Sequence, residues 1–266
     1  MQSNPDYISI NRDCWNSRTE HHINSDFYQL EAFLKGASSL NSIELDLLND
    51  IRGKKILHLQ CHFGMDTLSL ARLGAQVVGV DLSNKAIDKA NEINNQLNLG
   101  GRFICCDLYE LPKYLDETFD IVFTSYGTIG WLPDIDKWAQ VVSKMLRPSG
   151  KLVFVDFHPM VWMYDNDFAK IQYSYFNAEA IVEYESGSYA DKEAPIRTES
   201  IGWNHSISEV VNSLIKNELH INILNEYNYS PYNIFPNMVE ISNGQFILKQ
   251  FENKMPLLYA IIGNKL

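Results

Sequence analysis

The chain has 266 residues, of which 45% are hydrophobic and 21% are charged, and this composition is typical of a folded globular protein. Its formal net charge of −11 argues against a long polyanionic ligand, because proteins that bind nucleic acids usually carry a basic surface. The first residues lack the layout of a signal peptide, and no apolar run approaches the length of a membrane span. The four cysteines include an adjacent pair in an apolar stretch, so we expect buried thiols and a cytoplasmic protein.

Residues 1–50 are polar and helix-forming, with aromatic side chains at intervals. One interpretation is a pair of helices that caps an edge of a sheet. The other is that this segment helps to close a ligand pocket, through Trp15, His21, His22 and Tyr28. The sequence is compatible with both.

The stretch from Lys54 to Ser83 has the pattern of a strand, a turn, a helix and a second strand. A short apolar run that ends at Leu59 predicts the first buried strand. Gly64 can take the left-handed backbone that the following turn requires, and apolar residues at helical spacing come after it. The second strand ends on Asp81, and an acid beside such a turn suits the hydroxyl groups of a ribose.

Further strands are predicted at 103–106, 119–125 and 151–156, with helical spacing of apolar residues between them. Five strands separated by helices indicate an α/β fold with a doubly wound, mostly parallel sheet and helices on both faces. Asp81 ends the second strand, and Asp107 comes directly after the third. Both acids therefore belong to the edge of the sheet where open α/β folds bind ligands.

The last hundred residues change character. An aromatic, alternating pattern at 171–203 predicts an antiparallel hairpin or an irregular lid inserted after the fifth strand. A capping box at 206–209 opens a helix that runs to Ile215. Two further strands are predicted at 219–224 and 256–262.

The segment from His58 to Gly64 resembles motif I of the class I S-adenosylmethionine-dependent methyltransferases, in which a D-x-G-x-G-x-G turn follows the first strand. It departs from that motif at His58, Gln60 and His62, which stand where the family has Asp, Gly and Gly. The resemblance implies a Rossmann-like sheet of seven strands, the last of them antiparallel to the others. It also implies one domain over residues 1–266, with N-terminal cap helices (1–50), a cofactor-binding core (51–157), an inserted β-rich lid (158–203) and the C-terminal part of the sheet (204–266).

The same resemblance implies S-adenosylmethionine as the cofactor. Asp81 would accept the two ribose hydroxyls and Asp107 would approach the adenine amino group, although both could instead be solvated loop acids. The expected cofactor-binding residues are Gln60, Cys61, His62, Gly64, Asp81, Leu82, Asp107, Leu108, Thr124, Ser125 and Tyr126.

Tyr126, Trp131 and His158 follow the fourth and fifth strands, so they are the candidates for the acceptor site and for catalysis. His158 could act as a general base there, or it could be bonded to a loop carbonyl. We expect an enclosed pocket, roofed by the N-terminal helices and residues 164–203. The residues His58, Cys61 and His62 do not predict a metal site, because three residues within one turn cannot surround a tetrahedral ion.

The sequence therefore predicts an enzyme that moves a methyl group from S-adenosylmethionine to a small-molecule acceptor by direct SN2 transfer. Such a reaction requires alignment of the reactants and exclusion of water, so no catalytic triad is needed. A nicotinamide-dependent oxidoreductase is the alternative, although the turn lacks the G-x-G-x-x-G pattern of dinucleotide-binding proteins. A third hypothesis is a protein that binds S-adenosylmethionine without catalysis. Neither the acceptor nor the oligomeric state is predicted.

Overall fold

The computed structural model describes residues 7–252 and 254–266, so the first six residues of the predicted cap region lie outside it. The helices are α1 (Tyr7–His22), α2 (Leu30–Leu34), α3 (Ser42–Leu48), α4 (Met65–Arg72), α5 (Asn84–Leu97), α6 (Ile135–Met145) and α7 (Ile207–Lys216). The strands are β1 (Lys55–Leu59), β2 (Gln76–Asp81), β3 (Arg102–Cys105), β4 (Phe119–Ser125), β5 (Leu146–Phe157), β6 (Ile181–Ser186), β7 (Arg197–Gly202), β8 (Leu219–Tyr227), β9 (Met238–Ser242), β10 (Gln245–Leu248) and β11 (Leu258–Lys265). Short 3-10 helices follow β3, β4 and β5.

Seven strands form one sheet in the order β3-β2-β1-β4-β5-β11-β8. The pairs from β3 to β5 are all parallel, whereas β11 runs antiparallel to both of its neighbours, β5 and β8. The chain reverses direction across the sheet between β1 and β4, and a doubly wound sheet binds its ligands at the carboxyl ends of the strands beside such a point. The predicted fold class, including the antiparallel last strand, is confirmed.

Alternation along the strands divides the core into two layers. Leu57 and Leu59 of β1 pack with Trp138 of α6 and Leu214 of α7 on one face of the sheet. Ile56, one residue along the same strand, packs on the other face with the residues of α3 and α4. Because successive side chains of a strand point to opposite faces, this run of hydrophobic residues needs helices on both sides.

The helix α1 packs against α5 and against the hairpin β6–β7, so it joins the sheet to the inserted segment. Asn11 fixes the contact with the hairpin, because its side-chain amide donates to Ile201 O at 2.8 Å and accepts from Ile201 N at 2.9 Å. Further along α1, Asn16 accepts a hydrogen bond from the Ser83 hydroxyl at the start of α5, at 2.7 Å. The predicted hairpin after the fifth strand is present as β6–β7.

Two features of the C-terminal third differ from the sequence prediction. A second hairpin, β9–β10, lies between β8 and β11, where the sequence reading has no element. The strand β11 begins at Leu258 and runs to Lys265, beyond the predicted end. The division of the chain into cap, core, lid and C-terminal segments stays a prediction. Among the described residues, none of the helices is long and apolar enough to cross a bilayer.

Candidate functional site

The turn between β1 and α4 has an alternating left-handed backbone. Gln60 has a φ of 54°, His62 of 51° and Gly64 of 79°. Gly64 cannot be replaced without rearrangement, because a Cβ there would lie 2.6 Å from the side chain of Phe103. The left-handed conformation costs a non-glycine residue about 1–2 kcal/mol, so the other two positions hold a strained backbone. The turn thus follows a path that glycine would adopt freely, although only one glycine remains in it.

Asp81, at the carboxyl end of β2, fixes this turn. One of its carboxylate oxygens accepts a hydrogen bond from His62 N at 2.7 Å, and the other accepts from Ser83 N at 2.8 Å. Burial raises the pKa of Asp81 to about 6, although these backbone donors oppose the shift. Since a carboxylate has about four lone-pair positions, two of them remain for a ligand.

Asp107 has the corresponding position after β3. Its carboxylate accepts a hydrogen bond from Tyr109 N at 3.0 Å and begins a 3-10 helix, Leu108–Lys113. Burial raises the pKa of Asp107. Leu108 is buried and Leu82 is half-buried. The half-buried Asp107 and the two leucines therefore belong to the same edge of the sheet as Asp81.

The three predicted residues at the end of β4 face different elements. The Thr124 hydroxyl donates to Thr128 Oγ1 at 3.2 Å, and the Ser125 hydroxyl points to Asp66 Oδ2 of α4 at 3.5 Å. The Tyr126 hydroxyl donates to Glu44 Oε2 of α3 at 2.6 Å. Tyr126 itself has a left-handed φ of 52°. The end of β4 is thus linked to α3 and to α4 by side-chain hydrogen bonds.

Glu44, which is buried, and Asp66, which is half-buried, are two acids that the sequence reading missed. Glu44 is completely buried and also accepts from Asn41 N at 2.7 Å. Burial raises the pKa of Glu44. Burial, and then the charge of Glu44, raise the pKa of Asp66 to about 7. The Asp66 position, two residues after Gly64 in the first turn of α4, is a signal that the sequence already carried.

Asp156 is a third missed residue, and it holds the loop that follows β4. Its carboxylate accepts hydrogen bonds from Gly127 N at 2.5 Å, from Thr128 N at 3.0 Å and from Ile129 N at 3.2 Å. Gln60 ties the same loop to the turn after β1, because its side-chain amide donates to Thr128 O at 2.8 Å. The loops that follow β1 and β4 are therefore fixed to each other.

An aromatic cluster from distant parts of the chain covers this edge of the sheet, and we call it the roof. Its members are Trp15, His22, Tyr28, His62, Trp131 and Tyr189. The ring centroids of Trp15 and Trp131 are 5.2 Å apart, as are those of Trp15 and His62. The Trp131 indole N–H donates to Gly127 O at 2.8 Å, which anchors the roof to the loop after β4. Of the two interpretations of the N-terminal segment, these contacts favour the one in which it covers a site.

The side chains of the roof pack on one another and on the turn after β1. Two cavities, of about 20 Å³ and 60 Å³, lie in the described residues beside Asp156 and beside the segment 172–181. Each has room for only a few waters. Neither cavity is lined by side chains of the roof, so the enclosed pocket stays a prediction.

Part of the chain matches a known protein family. Residues 57–154, which run from β1 through β5, match the model of a methyltransferase domain. Residues 57–154 are therefore similar to the methyltransferase domains of class I. The resemblance predicted from the turn at His58 to Gly64 is confirmed.

This chain spans about half the length of the curated relatives that it matches. A ubiquinone biosynthesis O-methyltransferase of Coxiella burnetii is 29% identical over 132 residues, which are 48% of this chain and 56% of that protein. A sterol 4-C-methyltransferase of Caenorhabditis elegans is 24% identical over 161 residues, which are 60% of this chain and 45% of that protein.

Solved structures share the fold over more of the chain. An S-adenosylmethionine-dependent methyltransferase from Clostridium acetobutylicum has a TM-score of 0.60 at 16% identity, covering 95% of this chain and 99% of that one. A geranyl diphosphate C-methyltransferase from Streptomyces coelicolor, solved with S-adenosyl-L-homocysteine, has a TM-score of 0.61 at 13% identity and covers 100% of both chains. At these identities the likeness is one of fold.

His158 does not join the other candidates in the methyltransferase domain. Its Nε2 lies 2.9 Å from Glu226 Oε1 on β8, and its Nδ1 accepts from Met160 N at 3.1 Å. Burial lowers the pKa of His158, and Glu226 opposes the shift. The sequence reading offered His158 as a general base in the crevice, with a bond to a loop carbonyl as the alternative. The structure corrects both, because the two ring nitrogens are engaged by a carboxylate and a backbone N–H.

The histidines and the cysteine around the turn are also separated. His58 Nδ1 lies 2.8 Å from Thr67 Oγ1 and its ring packs on Phe123, whereas His62 belongs to the roof. Burial raises the pKa of the Cys61 thiol well above its ordinary value. In the part of the chain that the structure describes, no group of three or more His, Cys, Asp or Glu side chains is arranged to hold a metal ion.

Proposed function

We propose that this protein transfers a methyl group from S-adenosylmethionine to a small-molecule acceptor. The observation that carries the proposal is the turn after β1. Its residues at all three positions where the family pattern has glycine take a left-handed φ, and Asp81 is bonded to the middle one. The strained backbone at Gln60 and His62 supports a binding role, because strain of this kind persists where function requires it.

The residues present fit the cofactor. Asp81 retains lone pairs for the two ribose hydroxyls, and Asp107 with Leu108 would hold the adenine. Among the described residues the side-chain oxygen of Gln60 is buried without a hydrogen-bond partner. With Asp66 nearby at the start of α4, this oxygen would accept from the ammonium group of the methionine part. The cofactor supplies an electrophilic methyl group, because its sulfonium activates the carbon.

The chain's own contribution to the reaction is to position the acceptor and to exclude water. The roof covers the carboxyl ends of β1 and β4 with aromatic faces, which attract a positive charge and replace solvent. A covered site of this kind suits a small acceptor and not a polymer. The names of two relatives, for ubiquinone biosynthesis and for sterols, support the same class of acceptor.

The variant Asp81→Asn tests the cofactor site. Loss of the charge weakens two hydrogen bonds that are worth about 1.5–3 kcal/mol each when they are made to an ionised group. The dissociation constant of S-adenosylhomocysteine, measured by isothermal titration calorimetry, should rise more than about tenfold. Asp88→Asn is the matched control, since Asp88 is an exposed acid on α5 and should leave binding unchanged. Equal affinity of both variants and the wild type would overturn the role of Asp81.

A further inference from the structure

The helix α1 covers the carboxyl edge of the sheet, yet it is buried mainly through polar side chains. Its buried residues are Asn11, Cys14, Arg18, Thr19 and His22. The four hydrophobic clusters formed by the described residues contain no residue of α1, β6 or β7. Burial of apolar surface is the dominant favourable term in folding, so the main driving force for packing is small for these three elements.

The hydrophobic clusters begin again directly beside these elements. Ile23, the residue after α1, is 7% exposed and belongs to one cluster with Phe33 and Phe63. The nearest buried cluster residue before β6 is Phe168, and the nearest after β7 is Val210. The chain is thus anchored to the core at the C-terminal end of α1 and on both sides of the hairpin.

Contacts between buried side chains join α1 to the hairpin. Asn11 makes the two hydrogen bonds to β7 described above. Arg18 Nη2 donates to Glu185 Oε2 of β6 at 2.5 Å, and the Arg18 side chain is 6% exposed. At the end of α1, His22 Nε2 lies 3.0 Å from Ser188 Oγ. Buried contacts of this kind are costly to break, so α1 and the hairpin β6–β7 form one unit, which we call the flap.

The polar contacts that link the flap to α5 are exposed or half-buried. Asn16 Oδ1 accepts from Ser83 Oγ at 2.7 Å and from Lys85 N at 3.3 Å, and Asn16 Nδ2 donates to Asn84 Oδ1 at 2.9 Å. Glu20 forms an ion pair with Lys85 at the surface. Exposed ion pairs contribute little, because water and salt compete with them. Asn16 is therefore a polar latch between the flap and the start of α5.

The roof is divided between the flap and the rest of the molecule. Three of its rings belong to the flap and three lie outside it, respectively Trp15, His22 and Tyr189, and Tyr28, His62 and Trp131. The rings of Trp15 and Trp131 meet edge to face across this boundary, with their centroids 5.2 Å apart. Separation of the flap from the sheet would therefore part the two halves of the roof.

We propose that the flap opens as one unit, along the boundary that divides the roof, and that this opening admits S-adenosylmethionine to the carboxyl ends of the strands. Neither of the two cavities found in the described residues has the several hundred Å³ that a ligand of this size requires. The anchors place the hinges between His22 and Ile23 and at the two ends of the hairpin. The identity of the ligand rests on the proposed function, whereas the opening does not.

Hydrogen–deuterium exchange of the ligand-free protein tests the opening. A detached helix of 16 residues and an isolated two-stranded hairpin are only marginally stable in water, so the amides of both exchange when the flap opens. After correction for intrinsic rates, peptides from α1 and from β6–β7 should exchange at least about tenfold faster than peptides from β4 and β5. Exchange of the flap as slow as that of β4 and β5 would overturn the proposal.

The variant Asn16→Ala removes the latch. It should raise the exchange rates of α1 and of the hairpin together, by about fivefold or more, because it deletes the side-chain hydrogen bonds that close the flap. Asn91→Ala is the matched control, since the half-buried Asn91 of α5 donates to Ile87 O of its own helix at 3.0 Å. It should leave both rates unchanged. Unchanged exchange in Asn16→Ala, or faster exchange of α1 alone, would overturn a flap that opens as one unit.

S-adenosylhomocysteine tests what the opening admits. At a saturating concentration it should slow the exchange of α1 and of the hairpin by about fivefold or more, because a ligand that binds the closed form opposes opening. Calorimetric titration shows separately whether it binds. If it binds and neither segment slows, the flap does not admit the ligand and the proposal is wrong. If it does not bind, the proposed function and the ligand named here fail together, whereas the exchange of the ligand-free protein still decides the opening.

Discussion

Gln60 shows at the scale of one residue why the turn is informative. Its φ of 54° lies in the left-handed region, which disfavours every side chain with a Cβ. The hydrogen bond from its amide to Thr128 O gives a reason for its presence, because that bond joins the loops that follow β1 and β4. Substitutions of Gln60 can therefore separate the cost of the strained backbone from the loss of the side-chain hydrogen bond.

Gln60→Gly should be about 1 kcal/mol more stable than Gln60→Ala, since both lose the amide and only alanine keeps the strained Cβ. Urea unfolding gives the difference in the free energy of unfolding. At Asp88, which lies in the right-handed helix α5, the order should reverse by a similar amount, about 1 kcal/mol. The same order at both positions would show that the backbone at Gln60 is not left-handed in solution.

The raised pKa of Asp66 predicts how the stability of the protein depends on pH. Its pKa of about 7 in the folded protein exceeds the ordinary value of about 4, so the folded state holds the proton more tightly than the unfolded chain. The contribution of Asp66 to stability therefore falls as the pH rises from about 4 to about 7 and is constant above that range. Asp66→Asn cannot ionise, so its free energy of unfolding should rise relative to the wild type over the same range.

Urea unfolding at several pH values between about 4 and 8 measures that difference. Asp116→Asn, which changes an exposed acid, should keep a constant difference from the wild type. A constant difference for Asp66→Asn as well, or one that falls with rising pH, would contradict the raised pKa.

At the scale of elements, the loop after β4 depends on one strand residue. Asp156 of β5 accepts three backbone N–H groups from residues 127–129, and the roof is anchored to the first of these residues through Trp131. A carboxylate that is 2% exposed and bears these bonds fixes the loop to the sheet. The position of the roof therefore follows from the position of β5.

Asp156→Ala should reduce the free energy of unfolding by about 2–4 kcal/mol, because it leaves buried N–H groups without acceptors at about 1–3 kcal/mol each. Chemical denaturation measures the loss, and Asp116→Ala should change stability by less than about 0.5 kcal/mol. If Asp156→Ala is as stable as the wild type, water or another group must satisfy the loop, and the assigned role is wrong.

The sequence predicts the helices and strands well where the hydrophobic residues recur at a clear helical or strand spacing. The buried runs of β1, β2, β4 and β5 and the helical spacing in α4 to α7 need only nearby residues. The hairpin β9–β10 also had a local signal, Asn243-Gly244, and Gly244 has a φ of 69° there. It was missed because both strands are short and β9 is mostly exposed, so the hydrophobic alternation is weak.

The site was harder to predict than the fold, because its contacts join residues that are far apart in the sequence. The turn glycine and the strand-end acids follow from βαβ geometry. The partner of His158, Glu226 on β8, does not, since nothing local relates the two residues. The pairing of Arg18 on α1 with Glu185 on β6 depends on how the hairpin folds back over the sheet. Tertiary packing alone decides such pairs.

At the scale of the whole molecule, one edge of the sheet carries the proposed cofactor site. We propose that the carboxyl ends of the parallel strands, closed by a turn with glycine-like backbone and covered by the roof, bind S-adenosylmethionine. The sheet order and the methyltransferase match of residues 57–154 support this proposal, and the left-handed φ values give the turn the backbone path of glycine although only one glycine is present.

Calorimetric titration of the wild-type protein with S-adenosylhomocysteine and, separately, with NAD tests the proposed cofactor site. We predict saturable binding of one S-adenosylhomocysteine per chain and no measurable binding of NAD, because the turn lacks the glycines that bring the backbone to a pyrophosphate. Saturable binding of NAD without binding of S-adenosylhomocysteine would show that the site does not bind S-adenosylmethionine.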